Sequence, residues 1–542
     1  MPTININRNE FEKKVGKMPI EKLKDRISML GTDLEDVNSK EIIVEVFPNR
    51  PDMLSAEGFA RAFKSFIGKE KGLKEYKAKK SNYQVIVDKS VKGIRDFTAC
   101  AVVRNLKLND KNIRDVIQLQ EKLHIGYGRN RKKCAIGIYP MEKIKFPIHY
   151  KALNPNEIKF QPLEYDKELN GNQILIKLST GRNYAHLLEG KKKYPVFIDA
   201  DGKILSMPPI INSNETGKVT EKTKDVFIEV SGFDFDVLSK CLNIILTSLA
   251  DMNGEIYEIE IKDTKKIISP NLKLESMKID IEYVNKLLGL DLKEKDIKNC
   301  LEKMGYGYKD KKVTIPCYRV DVMHEVDIIE DIAIAYGYEN FREEIPKVAT
   351  IGQEDIFDKF KNKIREAIVG YGFLECNSYN LISEEVIDRS NVKLSKIKVS
   401  NPVNIDYNVL RNSILSSLLK ILSENKHYEY PQKIFEVGNT FIGEKEDEKL
   451  GLLICDNSAS FTSAKQILDY VISGIGLSYT LNESDNKTFI SGRCGEIIAR
   501  GKKVGFVGEI NPEVNENFDI DMPISGFELN LRELFELVKN FH

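Results

Sequence analysis

The sequence predicts an α+β, multidomain protein, and three observations carry that reading. At 542 residues the chain exceeds what one hydrophobic core holds, and ordinary domain sizes divide it into roughly three to five units. Between residues 81 and 265, segments such as YQVIVD, TACAVVRNL, CAIGIYP, QILIKL, YPVFID, KILSMPP, DVFIEV and EIYEIEI read as strands separated by polar turns. Beyond residue 354 an amphipathic helical pattern, IFDKFKNKIREAIVGYGF, precedes further strand patterns, which suits an antiparallel sheet backed by helices.

Taken in order, residues 1 to about 80 open with the strand-like PTININ, continue into a charged helix, and reach the alternating run Ile42 to Val46. Two prolines flanking Asn49-Arg50 make a rigid turn, and Ser55 to Arg61 reads as the helix that follows it. The lysine-rich stretch Lys69 to Lys80 reads as a solvated linker. Two helices, Asn112 to Leu123 and Phe235 to Met252, interrupt the strand-rich region. A compact unit from about 272 to 343 carries helices at Asp280 to Leu290 and Glu294 to Met304, a hairpin-like Gly307 to Pro316, and an acidic helix. The last unit, 354 to 542, adds IKVSNPVN, KIFEVGNTF, LGLLICD, GEIIARGKKVGFVGEI and ISGFELNL as strand patterns.

Bulk composition excludes several classes. Lys plus Arg (82) equals Asp plus Glu (82), so no global field draws in nucleic acid, and any RNA contact rests on local patches. The eight cysteines show no C-x-x-C pair, which argues against a zinc site or disulfide framework and fits a reducing cytoplasm. No apolar run reaches the roughly 18 residues of a membrane span, and the polar N-terminus does not read as a signal peptide. Phosphate-cradling fingerprints of the G-x-x-x-x-G-K and G-x-G-x-x-G types are absent.

The segment PCYRVDVMHEVDIIEDIAIAYGY is the most informative: Asp321, Asp327, Glu330 and Asp331 are threaded through an apolar helical pattern that begins near His324. Two readings stand. Acids crowd the first turns because they complement the helix dipole, or they converge on a hard divalent cation, since Mg2+ takes oxygen ligands.

The string P-x-Y-R-x-D-V, then D-I-I-E-D-I-A and Y-G-Y-E, resembles the beta subunit of phenylalanyl-tRNA synthetase, as does V-x-P-N-R-P-D-x-L-S-x-E-G-x-A-R near residue 46. The likeness runs in order along nearly the whole chain and fits the archaeal or eukaryotic type. It implies Mg2+ held by Asp321, Asp327, Glu330 and Asp331 in a site shared with an alpha subunit, and a heterotetramer of two alpha and two beta chains that uses ATP to charge tRNA with phenylalanine. It also implies four domains: 1–80 with the NRPD motif, packing with the small acidic domain; a tRNA-editing-like domain at 81–265; the small helical, winged-type domain at 272–343; and a class II catalytic-like domain at 354–542. The last resembles a catalytic core without the ATP-clamping arginines, because Tyr479 stands where the late arginine is expected, after Gly474-Ile475-Gly476-Leu477.

By the same resemblance, the strand-rich domain hydrolyses tyrosine wrongly attached to the phenylalanine tRNA. A second site is useful because an apolar pocket rejects one added hydroxyl by only about a hundredfold. The candidates are Asn214 and Glu215, in the loop after Pro208-Pro209, as organisers of water or ester, and Asp234, in V-S-G-F-D, as a reader of the phenol; both segments also read as capping turns. Arg129, Arg131, Lys132 and Lys133 form a basic loop suited to the tRNA phosphates, or simply a solvated one. The family often carries histidine where this chain has Tyr139. The six histidines lack metal-ligand spacing. A free-standing deacylase and a non-catalytic, tRNA-binding scaffold are the competing classes.

Overall fold

A computed structural model describes residues 2–263, 265–346, 348 and 350–538. The chain forms two compact units, Met1–Glu344 and Ile345–His542. No helix among the described residues is long and apolar enough to cross a membrane.

The first unit opens with a three-stranded antiparallel sheet in the order Thr3–Asn7, Glu41–Glu45, Asp33–Val37. Phe11, Phe59 and Phe63 pack on one another with ring centroids 5.3–6.3 Å apart. The N-R-P-D turn is held from within, for Arg50 donates two hydrogen bonds to Asp52, at 2.8 and 2.9 Å, with both residues buried. Ser55 then caps the helix Ala56–Phe66 by accepting from the Gly58 amide. This segment shares one hydrophobic core with the hairpin and helices of residues 275 to 336, and Ser65 donates to the Glu302 carbonyl at 3.0 Å. The hairpin Gly307–Lys309 to Lys312–Ile315 turns at Asp310 and Lys311, both at positive φ, which suits the right-handed twist of its strands. The lysine-rich stretch is pinned where a free linker was expected: Lys74 and Tyr76 both donate to Asp251 at 2.7 Å.

Two sheets lie face to face in the region between. One is antiparallel, ordered Glu255–Tyr257, Phe97–Arg104, Val226–Gly232, Cys134–Pro140. The other is seven-stranded and mixed: Ile211–Asn212, Ile204–Met207, Tyr194–Ile198, Ile148–Leu153, Gln84–Val87, Ile259–Lys262, Lys266–Ser269. The four-stranded sheet is buried on both faces. Val226, Ile228 and Val230 point into the core shared with helix Phe235–Asp251, while Phe227 joins Tyr139, Tyr150 and Phe197 between the sheets. One strand expectation fails here. QILIKL lies in the helix Gly171–Lys177, where Asn170 and Gln173 form a reciprocal capping box that outweighs the β-like composition. EIYEIEI splits into two strands that join different sheets.

The second unit is a seven-stranded sheet ordered Leu374–Glu375, Gln432–Ile442, Lys445–Cys455, Ile524–Asn530, Lys502–Ile510, Phe489–Ala499, Tyr479–Glu483, antiparallel except for the first pair. Alternating side chains cover both faces: Leu450 and Leu452 meet helices Ile356–Gly370 and Phe461–Gly474, while Leu453 and Cys455 meet helix Ile414–Glu424.

Candidate active site

The strand Val226–Gly232 carries Glu229 into the space between the two sheets of the first unit. Antiparallel pairing sets Glu229 opposite Gly137, so Tyr139, two residues further along the same face, can lean back towards it. The Tyr139 hydroxyl lies 2.8 Å from Ser206 Oγ, 3.2 Å from Glu229 Oε1 and 3.5 Å from Asn212 Oδ1. Glu229 is 2 % exposed, it has no salt-bridge partner, and its Oε2 has no hydrogen-bond partner among the described residues. Burial pushes its carboxyl up to about 8, and the Arg95 charge, the Tyr139 hydroxyl and the nearby Ser231 hydroxyl pull it back only in part. Arg95, itself buried, is occupied by Ser231, donating to its Oγ at 3.1 Å and to its carbonyl. A cavity of about 440 Å3 adjoins this cluster through Asn212, with Ile138, Gln120, Glu164 and Asn214 among its other walls.

The sequence reading leaves Glu229 and Ser206 as ordinary strand residues, marks Tyr139 only as a position where the family often carries histidine, and places the chemistry on three others. Of those, Asn214 lines the cavity. Glu215 points to solvent and pairs with Lys203 at 2.5 Å, which removes it from the pocket. Asp234 is also exposed. It caps helix Phe235–Asp251, accepting from the amides of Asp236 and Val237, so the capping reading holds for this residue. In the basic loop, Arg129, Lys132 and Lys133 are exposed, whereas Arg131 is inward: it donates to the carbonyls of Pro209 and Ile210 at 3.1 and 2.9 Å and pairs with Glu121. Arg131 therefore braces the loop that carries the cavity wall. His124 is structural too, its Nε2 accepting from the Ile136 amide at 2.8 Å.

The four acids of the small domain have separate tasks. His324 caps helix Glu325–Tyr336, and Asp327 reciprocates by accepting from the amides of Met323 and His324, both at 2.7 Å. Asp321 and Asp331 share the buried Arg319, at 2.7 and 2.6 Å, and Tyr306 donates a short hydrogen bond to Asp331. Burial works against the charge of Arg319, but Asp331, Tyr306 and Asp321 more than offset it and hold its pKa well above the usual range. Glu330 is exposed. Among the described residues no three His, Cys, Asp or Glu side chains are grouped to hold a metal ion. As they stand, the four do not fit a preformed magnesium site, because a guanidinium already occupies two of them.

In the second unit, each of the six arginines is engaged. Arg411 donates to Glu436 Oε1 at 2.6 Å, Ser378 Oγ at 2.7 Å and the Asn439 carbonyl at 2.7 Å. Arg365, Arg389, Arg493 and Arg532 pair with Glu375, Glu385, Glu509 and Glu448, and Arg500 donates to the Leu537 carbonyl. Gly474 ends helix Phe461–Gly474, and the Tyr479 hydroxyl returns to Asp469 in that helix at 2.6 Å.

Three family models match in order along the chain: the B3/4 domain over residues 79–241, the tRNA synthetase B5 domain over 277–338, and the phenylalanyl tRNA synthetase beta chain CLM domain over 342–531. Phenylalanine–tRNA ligase beta subunits of Thermococcus sibiricus and Archaeoglobus fulgidus are each 39 % identical to it, with 99 % of this chain and 99 % of theirs covered. The crystal structure of an N-terminal fragment of the Pyrococcus horikoshii phenylalanyl-tRNA synthetase beta subunit is 40 % identical and superposes with a TM-score of 0.59, covering 62 % of this chain and 99 % of the fragment. With the matches spanning it nearly end to end, the chain belongs to the family of phenylalanine–tRNA ligase beta subunits.

Proposed function

We propose that this chain joins a catalytic alpha subunit in the cytoplasm, two of each, to attach phenylalanine to its tRNA with ATP, and that its first unit removes tyrosine attached in error. The observation that carries the editing reading is Glu229: a buried glutamate with an unpartnered oxygen, between two sheets and linked through the Tyr139 hydroxyl to Asn212 in the wall of a cavity that Glu229 itself does not line. With its pKa near 8, Glu229 is mostly protonated at neutral pH and exchanges hydrogen bonds with a phenol without bringing a charge into the site. Phenylalanine offers no such partner. A site built to bond a hydroxyl discriminates far better than an apolar one, because the analogue lacking it leaves buried polar atoms unpaired. Asn212 and Asn214 supply amide groups at the cavity wall to orient the ester and the attacking water. Hydrolysis adds water across the ester, freeing tyrosine and restoring the terminal ribose hydroxyl. Arg129, Lys132 and Lys133 provide exposed charge for the tRNA backbone.

ATP chemistry belongs to the alpha subunit in this reading, because no arginine of the second unit is left to clamp phosphates. Magnesium binding is likewise a property of the assembly: Asp327 and Glu330 can face a partner, while Asp321 and Asp331 would first have to exchange Arg319. Equilibrium dialysis against magnesium should find no tight site in the isolated chain and one in the complex. The editing reading is tested by incubating the assembled complex with tRNA precharged with tyrosine. It fails if Glu229→Gln clears that tRNA at the wild-type rate.

A further inference from the structure

Resting on that reading of the Glu229 pocket, we propose that Tyr139 is the positioning residue of the hydrolytic site, its hydroxyl engaging Oε1 of Glu229 so that Oε2 remains free for a substrate phenol. A tyrosine hydroxyl carries one proton and also accepts: with the Ser206 hydroxyl, 2.8 Å away, donating to it, the Tyr139 proton is left for Glu229 Oε1. The approach of that hydroxyl to within 3.2 Å of Glu229 still calls for a steric explanation. Gly137 provides one. It lies in mid-strand with no positive φ, so no turn requires it, and a glycine there weakens the strand. A Cβ at Gly137 would collide with the Tyr139 hydroxyl and lie 2.6 Å from Glu229 Oε1. The missing methyl is thus what lets phenol and carboxyl meet.

Two consequences follow for the carboxyl. A side chain held at one oxygen by a hydroxyl anchored on a neighbouring strand has a fixed orientation, and a fixed orientation is what lets the second oxygen read a hydroxyl on an incoming ring. The ionisable or charged groups facing Glu229 are Arg95 from the preceding loop, Cys100 and Tyr139 from the two flanking strands, and Tyr150 from the opposing sheet. Of these, Arg95 and Tyr139 favour the ionised carboxylate. Removing the hydroxyl therefore raises the pH at which Glu229 ionises.

The experiment uses the assembled alpha and beta complex and tRNA precharged with tyrosine, followed in single turnover across pH 5.5 to about 9. Tyr139→Phe keeps the ring and its stacking. It is expected to slow clearance by about tenfold to a hundredfold and to move the midpoint of the pH profile upwards. Gly137→Ala retains the hydroxyl but forces it off Glu229, and must produce the same two changes. A slower rate with an unmoved midpoint overturns the proposal, since mere loss of packing would give that. Unchanged rate and midpoint in Tyr139→Phe, with Glu229→Gln inactive, overturns the role of Tyr139 and leaves the pocket reading intact. If Glu229→Gln itself clears normally, the pocket reading falls first.

Discussion

Glu229 in the first unit and Glu528 in the second are both buried in β-sheets and lead opposite lives. Glu528, 9 % exposed on strand Ile524–Asn530, accepts from Lys449 at 2.8 Å, from Ser413 Oγ at 2.6 Å and from the Ile414 amide at 2.8 Å. Both its oxygens are used. Burial alone would raise its pKa, but Lys449 and these donors bring it below the ordinary value. Glu229, 2 % exposed on strand Val226–Gly232, has no cation in contact and one idle oxygen, and burial raises its pKa to about 8. The difference separates a carboxylate that holds a fold together from one that the fold holds ready. Arg411 with Glu436 repeats the first pattern.

The comparison can be broken most forcefully from the structural side. Glu528→Ala leaves Lys449 buried and uncompensated and removes the acceptor of the Ile414 amide at the start of helix Ile414–Glu424, so chemical denaturation should report a loss of about 3–5 kcal/mol. Glu229→Gln should do the reverse. It removes a group that resists ionisation in place, so stability should hold or rise while tyrosyl-tRNA clearance falls by about a hundredfold. A denaturation midpoint that dropped as far for Glu229→Gln as for Glu528→Ala would erase the distinction.

Acidity sharpens it further. Between about pH 4.5 and 8 folded Glu229 keeps a proton that the unfolded chain has released, so its contribution to stability falls as pH rises through that window. Glu528 runs the other way: the stability it gives is present above its unfolded value of 4.5 and is lost as pH falls through its lower folded value. Denaturation of the variants at several pH values should therefore show Glu229→Gln flattening the decline as pH rises from about 4.5 to 8 and Glu528→Gln flattening the loss on acidification. The smallest effect is expected at Asp234→Ala, which costs about 1 kcal/mol as a lost helix cap and leaves the rate of tyrosyl-tRNA clearance unaltered.

What the sequence reveals of this divides along physical lines. Helices with caps were legible: Ser55 before Ala56–Phe66 and His324 before Glu325–Tyr336 announce themselves through local chemistry. The candidate site was not, because period-two alternation marks Glu229 as a solvent-facing residue of DVFIEV, and that inference assumes one wet face. Every residue of this strand is buried, since a helix covers one face and the second sheet the other. A clue was present in Gly137, a glycine inside CAIGIYP with no turn to make, but its partner could be found only through strand register. The acids at 321 to 331 misled in the opposite direction. Spacing gathers Asp327, Glu330 and Asp331 on one side of a helix, yet Arg319, close in sequence, already pairs with both Asp331 and Asp321.

The most direct measurement is the single-turnover hydrolysis of tyrosine-charged phenylalanine tRNA by the assembled complex, comparing Glu229→Gln with the unaltered protein at neutral pH. A loss of about a hundredfold, with Asp234→Ala and Glu215→Ala as fast as the unaltered complex, is the predicted outcome. Normal clearance by Glu229→Gln would contradict the assignment and return the search to the exposed loops.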